Sequence, residues 1–86
     1  SVSITFGGET EMFRPDIFKV HGAAQGLGLR IHSQVGDLAR ADEAMPAVML
    51  QNDNNELRYL LSLVRSGKPL SEGDWYGIIR YMVTYQ

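Results

Sequence analysis

Two histidines, one serine and several carboxylates carry whatever covalent or metal chemistry this chain could perform. His21 and His32 are its only histidines, and with Ser33 and Asp37 nearby they raise the possibility of a nucleophilic triad or, with Asp37 or Asp42, a metal site. Neither survives a consideration of geometry. His32 and Ser33 are sequence neighbours, so if the segment is extended their side chains point to opposite faces, and the imidazole has no route to the hydroxyl. A metal would need His21, at a helix end, and His32, on a strand's polar face, to meet and a third ligand such as Asp37 or Asp42 to join them, so a surface or helix-terminal role is the expectation for both histidines. The carboxylate pairs Glu9/Glu11, Asp42/Glu43 and Glu72/Asp74 sit in stretches with turn or helix-start character. Catalytic pairing needs one carboxyl in a desolvating pocket that raises its pKa, and solvated turns do not supply one. No catalytic, metal or cofactor-binding residue is assigned, and a small hydrolase is a second alternative only.

Residues suited to binding are more prominent. Trp75, Tyr76, Tyr81 and Tyr85 crowd the last twelve positions. Tyrosine and tryptophan combine large apolar area with a polar tip and are enriched where protein surfaces meet. Tyr76, Tyr81 and Tyr85 are therefore the interface candidates. Arg40, Asp42 and Glu43 join them from a polar connector, since connectors on a rigid scaffold commonly carry recognition.

Composition narrows the classes. The chain has 86 residues, 44% hydrophobic and 21% charged, which suits one globular domain over residues 1–86 with a thin core. It has no cysteine, so disulfides, thiolate metal sites and thiol nucleophiles are excluded. Its net charge is −2, and its eight lysines and arginines are dispersed, which disfavours nucleic acid and anionic membranes as partners. With no apolar run of membrane-spanning length and no basic-then-apolar leader, the expected location is the cytoplasm.

The positioning elements follow from periodicity. SVSITF alternates, with Val2, Ile4 and Phe6 on one face, and runs into Gly7 and Gly8. A hairpin with Gly7–Glu9 as its loop would set Ile4 against Met12 and Phe6 against Thr10. Pro15 and Asp16 open a short helix over 16–25, with Ile17, Val20 and Ala24 at helical spacing. Leu29, Ile31, Ser33 and Val35 alternate with Arg30, His32 and Gln34, which predicts a strand over 29–35. Residues 37–43 form the connector, and AVML at 47–50 reads as a buried strand. Asp53 and Glu56 start a helix that Gly67 and Pro69 stop, giving 53–66. Ser71 with Asp74 opens a last helix to about Thr84.

The predicted fold is thus α+β: an N-terminal β-hairpin plus two further strands, packed by a short helix and a C-terminal helical pair. Both late helices carry too much apolar surface. Leu57–Val64 would sweep roughly 200° of helix circumference and Trp75–Tyr85 roughly 220°, against about 100° for a surface helix. Either another layer or another chain must cover the excess.

Ala24, Leu27, Gly28 and Leu29 resemble the first half of the repressor-type helix-turn-helix family, which implies a DNA-binding transcriptional regulator with that motif over 16–38. The family wants an apolar anchor six positions after the glycine. Gln34 stands there and Val35 comes one residue late, a slip that turns a helix by about 100°. The expectation is therefore a small non-catalytic binding or regulatory module of inhibitor, immunity or phage-type accessory character, without cofactor. It would act by occluding or tethering a protein partner of unknown identity, with a homodimer as one form.

Overall fold

The computed structural model describes residues 1–52 and 55–86, and its ordered elements are all strands. They are β1 (Val2–Gly7), β2 (Thr10–Glu11), β3 (Arg14–Lys19), β4 (His21–Gly22), β5 (Leu27–Ser33), β6 (Tyr59–Arg65), β7 (Trp75–Tyr76) and β8 (Arg80–Tyr85). β1 and β8 form one antiparallel sheet, β2-β3-β5-β6 a second, and β4 and β7 a short ribbon.

The α+β expectation is wrong, and each helix fails for a stated reason. Residues 16–25 hold most of β3, because Ile17, Phe18 and Val20 fit a pleated surface better than a helix. Residues 53–66 hold β6; the proposed start at Asp53 lies outside the described residues. Residues 71–84 hold β7 and most of β8, rich in aromatic and β-branched side chains. The excessive arcs were the signal: apolar residues that nearly encircle a helix also populate both faces of a strand.

The N-terminal hairpin is also replaced. β1 pairs with β8, so Ile4 stands opposite Val83 and Phe6 opposite Tyr81, while Thr10 and Glu11 pair with β3. Residues 47–50 contribute one isolated bridge, Val48 to Val2, rather than a strand. The extended stretch around Ile31 is present as β5, with Leu29 and Ile31 buried.

Ile4 and Phe6 of the first sheet meet Phe18, Leu29 and Ile31 of the second, and Met45 joins them, so the two sheets enclose one core. The segment after β5 sutures them. Ala39 N–H donates to the Ile31 carbonyl at 2.8 Å and Ala41 N–H to that of Pro15 at 2.9 Å. Asp42 N–H then donates to Phe6 at 2.7 Å, Met45 to Ile4 at 2.8 Å and Val48 to Val2 at 2.7 Å. Each bond satisfies a backbone group that would otherwise be buried unpaired. The sandwich is open and elongated: its Cα radius of gyration is 14.5 Å, against about 12 Å for a compact chain of this length.

Candidate docking site

The opening lies along β6 and β8. In an antiparallel ladder, directly opposite residues share a face. Phe6 and Tyr81 are such a pair, yet Phe6 is 8% exposed and Tyr81 69%. Val2 and Tyr85 repeat the contrast. Tyr81, Val83 and Tyr85 thus form the inward row of β8, and only Val83 reaches the core.

β6 behaves alike in the other sheet. Tyr59 sits edge-to-face on Phe6 with ring centroids 5.1 Å apart, which fixes Tyr59, Leu61 and Leu63 as its inward row. Burial pushes the Tyr59 phenol above its ordinary pKa, but Leu61 and Leu63 stand half in water. Beside the β6 row a cleft of about 540 Å³ is lined by Leu29, Leu61, Leu63, Trp75, Gly77 and Ile79. Among the described residues, no strand pairs with the far edge of β6 or of β8. An apolar cleft flanked by unpaired backbone N–H and C=O groups is a template for an added strand.

The six interface candidates do not form one patch. Tyr81 and Tyr85 stand exposed on β8, outside the cleft lining, whereas Tyr76 lies on the β4–β7 ribbon, opposite His21 and with its ring 5.7 Å from the imidazole. Arg40 pairs with Glu43 at 3.4 Å on the connector. Asp42 is the link between the groups, its carboxylate 4.0 Å from the guanidinium of Arg80, beside Tyr81. Leu61, Leu63 and Trp75, which line the cleft, were absent from the candidates. Their signal was the excess apolar arc.

The polar constellations resolve into structural contacts. Ser33 caps a turn, its hydroxyl oxygen accepting from Asp37 N–H at 3.0 Å, and His21 pairs with Glu9 at 3.2 Å. Among the described residues no three His, Asp or Glu side chains gather as a metal would require. Buried Asp16 is the principal ionic centre, receiving Arg14 at 3.3 Å and Arg30 at 3.0 Å. Burial raises its pKa, but the hydrogen bonds and charges around it prevail and hold the carboxyl below the usual carboxylate range.

The two-sheet all-β sandwich is similar in fold to solved pilus subunits. A chain from the structure of a chaperone–usher pilus, solved to explain rod uncoiling, superposes with a TM-score of 0.87 at 20% identity, covering 99% of this chain and 53% of that one. The crystal structure of the P pilus rod subunit PapA gives 0.80 at 22%, covering 99% and 58%. In sequence, the chain is 36% identical over 88 aligned residues to the PRS fimbrial minor pilin protein of Escherichia coli, and equally to the PAP fimbrial minor pilin protein of the same organism. Each alignment takes in 99% of this chain and 43% of the relative, so the chain spans under half the length of the curated proteins it matches. No family model matches it.

These likenesses overturn the expected function. A motif for DNA over 16–38 is ruled out by β3, β4 and β5 occupying that span. An inhibitor or accessory regulator and a small hydrolase give way because the relatives are fimbrial pilins, structural parts of a surface appendage. The cytoplasmic location and the unidentified protein partner give way for the same reason.

Proposed function

We propose that this chain serves as a structural, non-catalytic pilin in a fimbria, exported from the cytoplasm and held among other pilus subunits by β-strand addition. The observation that carries this is 36% identity over 99% of the chain to two fimbrial minor pilins. The open sandwich supports it. Strand addition gains affinity from main-chain hydrogen bonds and specificity from alternate side chains entering an apolar cleft, and chaperone–pilin complexes use that mode. The edges of β6 and β8 and the Leu61–Trp75 cleft are the features such a contact needs. Self-association then takes the form of a heterologous, open-ended contact, which builds filaments, rather than a closed homodimer.

The test is incorporation. An epitope-tagged chain, directed to the periplasm of Escherichia coli assembling P fimbriae, is expected to co-purify with fimbriae sheared from the cells and to label them under immunogold microscopy. Tagged protein that is folded in the periplasm yet absent from the sheared fraction would overturn the proposal.

A further inference from the structure

Lys19 stands apart from the other cations. Of the eight lysines and arginines, Arg14, Arg30, Arg40, Arg58 and Arg80 each lie within 4.0 Å of a carboxylate, which leaves Lys19, Arg65 and Lys68 without an ion pair among the described residues. Arg65 and Lys68 are exposed, where water solvates the charge, but Lys19 is half-buried. A cation partly withdrawn from water with no carboxylate beside it costs free energy until an anion joins it.

The surroundings suit an anion. Lys19 ends β3, where its N–H donates to the Glu9 carbonyl at 2.8 Å, and Arg80 opens β8 opposite Gly7. Both line a hollow of about 140 Å³, together with Gly8, Glu9, His21 and Ile78. The one carboxylate in that lining is engaged, since Glu9 Oε1 lies 3.2 Å from His21 Nε2. The pair from Arg80 to Asp42 is long, at 4.0 Å, and both side chains are more than two-thirds exposed, so solvent weakens it and a better acceptor can take the guanidinium. Two cations against one carboxylate make the lining net positive by one, while the whole chain carries −2. A lysine supplies a compact point charge and an arginine a planar fork of donors, and both bind phosphate oxygens. Since a water takes up about 30 Å³ in the liquid, the hollow admits a group of phosphate size.

We propose that this hollow binds a phosphate group, free or as a phosphomonoester, with Lys19 and Arg80 as its two charged donors. The site is separate from the apolar cleft. Along 77–80 the residues alternate between the two, Gly77 and Ile79 lining the cleft and Ile78 and Arg80 the hollow, as extended backbone requires. The proposal does not depend on the pilin reading.

The experiment titrates the nitrogen-15-labelled chain with inorganic phosphate and, separately, with glycerol 3-phosphate at constant ionic strength, reading amide shifts residue by residue. Saturable changes centred on Gly8, Glu9, Lys19 and Arg80 are expected. Saturation by both ligands assigns the site to a phosphomonoester, and saturation by inorganic phosphate alone assigns it to the free anion. Lys19→Gln should weaken binding at least tenfold, the loss expected for one charge-assisted hydrogen bond, with unchanged β5 shifts showing that the variant is folded. Arg80→Gln, at an exposed position, gives an independent reading of the same loss. Lys68→Gln, which removes an exposed cation outside the hollow, should leave binding unchanged. Shifts that grow without saturating, that are equally large around Arg65 and Lys68, or that persist in both Lys19→Gln and Arg80→Gln would overturn the proposal.

Discussion

Ile31 and Leu61 stand opposite each other on β5 and β6 and share a face, yet Ile31 is 1% exposed and Leu61 59%. The boundary between closed core and open cleft therefore falls between two hydrogen-bonded strands. Truncation should reveal it. Ile31→Ala empties a packed site and is expected to cost about 3 kcal/mol, whereas Leu61→Ala removes surface that is already largely wet and should cost under about 1 kcal/mol. Urea unfolding midpoints for the two variants provide the check; similar losses would mean that Leu61 is packed in solution.

Asp16 makes stability depend on acid. Its folded pKa lies below the ordinary aspartate value, so its contribution is fully present above the unfolded pKa and is lost as pH falls through the folded one. Asp16→Asn should lower stability by about 2 kcal/mol at pH 7, the worth of hydrogen bonds to a charged group. The gap between the two proteins should then shrink below about pH 3.8. A gap that stays constant between pH 7 and pH 3 would show that the ion pairs contribute nothing.

Phe13 occupies the turn between β2 and β3 at φ 61°, in the left-handed region, with its side chain 92% exposed. A bulky residue is strained there and nothing packed compensates, while asparagine tolerates the conformation. Phe13→Asn is expected to stabilise the protein by roughly 0.5–1 kcal/mol, raising the thermal midpoint by a few degrees. Calorimetry showing a lower midpoint would mean the ring is held by a contact in solution.

Gly22 and Gly36 both have positive φ, at 127° and 94°, but different surroundings. A Cβ at Gly22 would lie 2.4 Å from the Asp74 carbonyl oxygen, across the β4–β7 ribbon, whereas a Cβ at Gly36 would meet nothing within 4 Å. Gly22→Ala should therefore part the ribbon, and Gly36→Ala should cost only backbone strain of about 1 kcal/mol. Cross-strand nuclear Overhauser contacts between His21 and Tyr76 are expected to vanish in the first variant and persist in the second.

How much was legible in the chain depended on whether the deciding contacts were local. The alternation of Val2, Ile4 and Phe6 names a buried row, and that of Leu29 and Ile31 a strand, because a period of two is written in consecutive residues. The apolar excess of 57–64 and 75–85 was also written there, though not whether a second layer or another chain covers it. Which element carries that excess was not. Apolar residues at both odd and even positions suit a broad-faced helix as well as a two-sided strand, and the choice is made by what packs against them. β1 pairs with β8 from the opposite end of the chain, and nothing near Ile4 specifies Val83 over Met12. The exposure of Tyr81 beside a buried Phe6 depends on the facing layer ending short of β8. Local order fixes which side chains share a face; only the assembled sheets decide whether that face is covered, because burial is a property of the opposing layer and not of the strand itself.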